Sequence, residues 1–355
     1  ALRLAQGGAQ VTVLDRDAPG AACSTAGAGL LMAQTETPAP APGGSPDPLL
    51  AAGLASRSRY PEFLEAVAEQ TGERPALEFR GAFSLALHAE ALEPLACRVA
   101  WQVSLGLSAE LVPHAALPTV SGEALAAGYF PDDGWVDNQA LLPFLVRAVE
   151  RVATVTAHTE VTAVRVENGR VFGVECGGTF LPAGQVVLAA GAWSEALLPK
   201  GCASQGVRPA RGQLLLMEAG DSAPPYPLIA GDYYVVPRPR GRVLLGATVE
   251  DAGFDVSVPE TNLERIRDGV AAFLPASRNW KQVAAWSGLR PRSADDLPVI
   301  GPGAVAGLWH AGGHFRNGIL LAPLTAAWLA AGILEGGMPP EAEPFSPRRF
   351  HPGKL

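Results

Sequence analysis

Residues 1–17 read ALRLAQGGAQVTVLDRD, and their pattern decides the fold class. The first residues read as the last turns of a helix, Gly7 and Gly8 stop it, and Val11 to Leu14 form an apolar strand ending in Asp15. This is the back half of a dinucleotide-binding βαβ unit. In such units a strand and a GxGxxG turn precede the helix, and an acid about 20 residues beyond the turn holds the ribose hydroxyls. The short run from Ala1 to Asp15 therefore places the glycine turn upstream, and one strand with its turn is expected to be missing from the amino terminus.

An acid at a strand end is weak alone, and the next segment strengthens it. Residues 22–36, ACSTAGAGLLMAQTE, concentrate small side chains, which lets backbone lie close against a flat ligand. A proline-rich loop follows, TPAPAPGGSPDP, and then a helix over Leu49 to Gly72 interrupted by Pro61. Between Arg74 and Pro131 the pattern turns to short strands and a helix near Pro94 to Leu105. Asp137 caps a helix reaching about Val152. The stretch TEVTAVRVENGRVFGVEC is a hairpin turning at Asn168-Gly169, and AGQVVLAAGAWS is an apolar strand ending at Gly191. From Gly201 to Trp286 the chain is again strand-rich, with a helix over Asn262 to Phe273 and Tyr233 or Tyr234 on the wet or ligand-facing side.

At 355 residues and 48% hydrophobic content the chain suits two compact units. The formal charge of −8 and the scatter of basic residues argue against a nucleic-acid partner. The one basic run, VPRPRGR within 235–242, reads as a solvated turn. Cys23, Cys97, Cys176 and Cys202 form no metal-ligand or disulfide spacing, so reduced thiols and a cytoplasmic setting are expected, with no metal. No signal peptide is legible. Gly318 to Leu334 lacks charge but contains Pro323, and burial in a core is expected rather than a membrane span.

The tail, HAGGHFRNGILLAPLT, spends glycines, an arginine, an asparagine and a proline at a helix start. Together with DDGWVD, VVLAAGAWS, RGQ, VPR, GATVE and WSGLRPRSADDLPVIGP, in this order and spacing, it resembles the flavin-dependent D-amino acid oxidase superfamily, and most of all its thiamine-pathway glycine oxidases. The resemblance spans nearly the whole chain. It implies an α/β fold: a discontinuous, Rossmann-like FAD domain of the glutathione-reductase type over 1–73, 132–200 and 287–345, plus an α+β substrate-binding domain with an antiparallel sheet over 74–131 and 201–286. Asp15 would hold the adenosine ribose, and Ser24, Thr25, Ala26, Gly29 and Leu30 would line the diphosphate and flavin. Val161 would support the adenine side, and Gly191 and Ala192 a second contact. Gly313, Arg316, Asn317, Gly318, Ile319 and Leu320 would follow the flavin's pyrimidine edge, where helix-start amides stabilise negative charge. Pro323 would then be tolerated near the start of the helix, where few amides have an internal partner.

Amine oxidation by a flavin requires orientation more than a protein base. Arg290 of GLRP is the expected carboxylate clamp, because a guanidinium grips a carboxylate through two parallel bonds; the alternative is an ion pair with Asp295 or Asp296. Tyr234 would add a phenol hydrogen bond or pack in the core, and Arg316 would be a second clamp, a flavin contact or a partner of Glu36. A lone His314 is more often structural than catalytic, and Glu36 is equally a pocket or a solvated acid. Leu30 and Val249 stand where glycine oxidases often have methionine, and Ser287 where alanine is common; all three are expected to face the ring or pocket. No cysteine follows Cys202, so FAD is expected to be noncovalent. The implied activity is oxidation of glycine with O2 to give H2O2, serving thiamine thiazole synthesis, in a homo-oligomer without membrane contact. The alternatives are a D-amino acid or sarcosine oxidase or dehydrogenase, and a non-catalytic remnant.

Overall fold

Two short parallel ladders carry the half of the molecule announced by residues 1–17. Thr12–Leu14 pairs in parallel with Thr154–Thr156, and Val186–Leu188 pairs in parallel with Leu308–Gly312, whose other edge takes Val299–Pro302 antiparallel. The computed structural model describes residues 1–350 apart from 42, 43, 45, 46, 114–116, 118, 119 and 121–123. Part of the proline-rich stretch expected as a loop therefore lies outside the described residues. The opening helix is Leu2–Gln6, and Gly8 at φ 88° takes the left-handed backbone that turns the chain into the first strand. The hairpin forms as Val161–Glu167 and Arg170–Cys176, with Asn168 and Gly169 both at positive φ, as a two-residue turn of this hand requires.

The other half is an eight-stranded sheet. Its order is Lys281–Arg292, Arg208–Glu218, Arg242–Gly246, Tyr233–Arg238, Leu228–Ala230, Ala82–Ala86, Ala126–Phe130 and Glu110–Pro113, antiparallel except where Leu228–Ala230 meets Ala82–Ala86. The helix Glu260–Phe273 lays Leu263, Ile266, Val270 and Phe273 on one face of this sheet, against Leu215, Val235, Val243 and Leu245. Apolar side chains at this helical spacing form one stripe, and burying it stabilises the pair of layers. The strand Lys281–Arg292 runs unbroken through residues 286 and 287, so the boundary drawn there falls inside a continuous element.

The helix expected over Leu49 to Gly72 is two helices, Pro48–Arg57 and Tyr60–Thr71, because Pro61 opens the second rather than kinking one. Asp47 caps the first through Leu49 N–H at 2.8 Å, and Asp137 caps Asn138–Glu150 through Ala140 N–H at 3.3 Å. The helix expected near Pro94 spans Ala89–Ser104.

The last helix, Gly318–Glu335, is long and apolar enough by composition to cross a membrane, yet its Leu320, Leu321, Leu324, Trp328 and Leu329 are buried against Tyr60, Leu64, Phe144 and Phe345. Pro323 is the sixth residue of this helix, beyond the first turn where sequence reasoning placed it. Its missing amide leaves the Ile319 carbonyl without an internal donor, and the Tyr60 hydroxyl donates there instead. Beside it, Leu324 N–H donates to Ser56 Oγ at 3.3 Å. The proline is tolerated because neighbouring helices replace the bonds it breaks.

Candidate active site

Two glycines in the large sheet form a floor under two polar side chains, and a third admits the small-residue segment. A methyl group on Gly212 would overlap the Arg290 guanidinium, and one on Gly246 would overlap the Tyr234 ring. At Gly288, one strand over, an added methyl would sit 2.7 Å from Ala26 Cβ in the small-residue segment. The sheet thus presents Arg290 and Tyr234 while the segment 22–36 presses against the same strand, a further bond being Trp286 Nε1–H to Ala26 O at 3.0 Å.

Arg290 donates from Nη1 to the Thr248 carbonyl at 3.0 Å and makes no ion pair with a described carboxylate. The acids expected as alternative partners are taken: Asp296 by Arg292 at 2.7 Å and Asp295 by Arg349 at 2.7 Å. Tyr234 is 8% exposed. Burial is the largest influence on its phenol and pushes its pKa up; the nearby Arg290 and Arg316 pull it down, while Glu36 raises it. Arg290, Tyr234, Arg316 and Glu36 therefore share one electrostatic neighbourhood.

Arg316 is exposed, and with Glu36 it borders a cavity of about 270 Å³ that also touches Met32, Asp296, Phe315 and Asn317. The preceding residues reach it through Gly313 at φ 65° and Phe315 at φ 46°. Asn317 stands before Gly318–Glu335 without a side-chain cap, so the amides of Gly318, Ile319 and Leu320 point out of the helix with no internal acceptor. His314 is buried with Nε2 3.0 Å from Thr325 Oγ1, and burial pulls its pKa down to about 4. It is neutral and already engaged, as a structural histidine is.

The segment Leu30 to Thr37 is anchored from below. Asp133, fully buried, accepts from Thr35 N at 2.7 Å, Thr35 Oγ1 at 2.7 Å and Gln34 N at 3.2 Å, and pairs with Arg57. Leu30 pairs with Trp135 in a short antiparallel ladder, and Gly29 at φ 64° passes so close to the Val136 carbonyl that no side chain fits. Thr25 turns its hydroxyl to Ala22 O at 3.1 Å, and Ser24 is exposed.

The remaining expected contacts lie around the small parallel ladders. Asp15 follows Thr12–Leu14, half-buried, with one carboxylate oxygen accepting from Asp17 N at 3.0 Å. Val161 opens the hairpin strand. Gly191 at φ 55° and buried Ala192 begin a short 3-10 helix after Val186–Leu188, and Gly191 has open space where a side chain would stand. Two sequence readings change. Ser287 turns its hydroxyl to the Val256 carbonyl at 2.6 Å, so its polar atom braces a loop instead of lining the pocket. Arg238, read as part of a solvated turn, is drawn inward by bonds to Ala28 O at 2.5 Å and Asn138 Oδ1 at 3.3 Å.

The donor set fits a flavin dinucleotide. Alongside the uncapped helix start, Ala28 and Gly29 are buried residues whose amides make no hydrogen bond to a described residue. Sequence reasoning missed Asn138, Arg238 and the glycine floor. Glycine inside a strand marks close approach of another group, and Gly212, Gly246 and Gly288 carried that signal.

A family model described as FAD dependent oxidoreductase matches residues 1–331. The chain is 33% identical over 296 residues to the glycine oxidase of Pseudomonas putida, covering 82% of this chain and 80% of that protein. It is 32% identical over 360 residues to a Trichormus variabilis protein named bifunctional protein ThiO/ThiG, covering 99% of this chain but 53% of that one. The chain thus spans about half the length of the first curated relatives it matches. The crystal structure of glycine oxidase from Geobacillus kaustophilus superposes with a TM-score of 0.91 at 30% identity, covering 97% of this chain and 93% of that one.

Proposed function

The chain belongs to the family of FAD-dependent oxidoreductases, and from that premise we propose that it oxidises the Cα–N bond of a small amino acid, with glycine as substrate. The observation that carries this reading is Arg290: a guanidinium without a carboxylate partner among the described residues, laid on a glycine floor beside the Tyr234 phenol. An amino acid's carboxylate completes that arrangement. It would accept two parallel bonds from Arg290 and one from Tyr234, which fixes Cα at one depth in the site.

FAD would be held by Asp15 at its ribose, by the amides of Ala28 and Gly29, and by the helix start at Gly318, Ile319 and Leu320; Ser24, Thr25, Ala26, Leu30, Val161, Gly191, Ala192, Gly313 and Asn317 complete the proposed contacts. When bound, it supplies the two-electron acceptor for the hydride leaving Cα. The chain's own work is binding and orientation. His314 is neutral and bonded to Thr325, which leaves it unsuited to act as a base, and in this reading the substrate is oxidised with its amine already deprotonated. Balance then requires glycine and O2 to give the imine and H2O2, and water to convert the imine to glyoxylate and ammonia. The glycine oxidase relatives support glycine as the substrate, and the relatives named ThiO/ThiG support a place in thiamine thiazole synthesis. Arg316 and Glu36, at the cavity of about 270 Å³, form the outer wall of this proposed site.

Oxygen uptake with glycine, sarcosine and D-alanine tests the reading. The highest kcat/KM is expected with glycine. Turnover of D-alanine with none of glycine overturns the choice of substrate.

A further inference from the structure

All six main-chain carbonyls from Ser24 to Gly29 are held by groups outside their own segment, Ala26 O by Trp286 Nε1 as described above. Asn138 Nδ2 donates to Ser24 O at 2.8 Å, Gly27 O at 2.9 Å and Thr25 O at 3.1 Å. Arg238 Nη2 donates to Ala28 O at 2.5 Å, and Val136 N–H donates to Gly29 O at 2.8 Å. Arg238 also reaches Asn138 Oδ1 at 3.3 Å, so the two side chains are linked. In a planar trans peptide the carbonyl of one residue and the amide N–H of the next point in opposite directions. With Gly27 O held by Asn138 and Ala28 O held by Arg238, the amide of Ala28 points away from Asn138 and that of Gly29 away from Arg238, and neither amide bonds to a described residue.

We propose that Asn138 and Arg238 are positioning residues that clamp this segment by its carbonyls so that its amides face the flavin, an inference that rests on the flavin reading above. Arg238 is an unusual choice for a structural brace. It lies over the Trp135 ring at 5.0 Å and makes no ion pair with a described carboxylate. Burial pulls its pKa down to about 10, against the pull of Asp137. Such a cation is costly to bury, and what it supplies is a rigid fork of donors aimed at carbonyls. It is also on the strand Tyr233–Arg238 with Tyr234, four residues apart and so on the same face. The clamp ties the proposed substrate phenol and the proposed flavin amides to one frame.

The test uses the full chain stripped of flavin and titrated with FAD, reading flavin fluorescence for Kd and the visible absorption spectrum at saturation. Arg238→Met and Asn138→Ala are expected to raise Kd by about tenfold or more and to shift the flavin bands, and Arg238→Lys, which keeps a donor, to recover most of both. A Kd within about twofold of wild type with an unchanged spectrum overturns the clamp, whatever happens to the melting temperature. If Arg238→Met does not fold, Asn138→Ser, with a single hydroxyl donor for three carbonyls, decides by the same two readings. Wild-type protein that takes up no FAD sinks the flavin reading itself; wild-type uptake with unaltered variants sinks only the clamp.

Discussion

The Tyr60 hydroxyl donates to the Ile319 carbonyl, the acceptor that Pro323 leaves without an amide inside the last helix. This bond, 259 residues apart in sequence, holds the first turn of the helix whose amides are proposed to meet the flavin. Tyr60→Phe leaves a buried carbonyl unpaired and is expected to cost about 1–3 kcal/mol in urea denaturation. A loss below about 0.5 kcal/mol would show that the helix start does not depend on Tyr60.

Asp133→Ala is expected to be more severe, about 3–5 kcal/mol, because it removes the nearer carboxylate of Arg57, leaving only Asp132 at 3.9 Å, and the acceptor for Thr35 N and Gln34 N in a fully buried place. Equilibrium unfolding of the apoprotein measures it. An effect near that of a surface substitution would mean that water enters and replaces the carboxylate.

His314 sets a pH dependence of stability. Its folded pKa of about 4 lies below the ordinary imidazole value, so between the two the unfolded chain binds more protons and stability rises with pH. The penalty is absent above about pH 6.5, grows as pH falls toward 4 and levels off below it. His314→Gln, which cannot titrate, should flatten that part of the profile in melts run from pH 4 to 7. An unchanged slope would assign the acid sensitivity to other groups.

Gly212→Ala separates fold from binding. The added methyl meets the far end of the Arg290 side chain, which can swing away, and meets no backbone atom among its nearest neighbours. Stability should change little, while KM for the amino acid rises about tenfold or more with flavin affinity intact. Equal KM values would remove the guanidinium from the binding step.

The sequence makes the strand, helix and hairpin positions legible because each has a local cause: Gly7-Gly8, Asp137, Asn168-Gly169 and the apolar alternation act on their own neighbours. What it hides is set by distance. Nothing near Pro323 says that Tyr60 will repair its helix, and nothing near VPRPRGR says that Ala28 will accept from Arg238. Ser287 likewise reads as a pocket residue until the Val256 loop arrives to take its hydroxyl. Arg290 is a candidate in the sequence through GLRP and the chemistry of a guanidinium, whereas Asn138 and Arg238 are hidden because their partners are carbonyls, and main-chain acceptors leave no mark on residue identity.

The most direct test mixes FAD-loaded protein with glycine under anaerobic conditions and follows the flavin absorbance, comparing wild type with Arg290→Ala. The account predicts rapid bleaching in wild type, and in Arg290→Ala the same flavin content with bleaching only at far higher glycine concentration. Bleaching of both proteins at the same glycine concentration would contradict it.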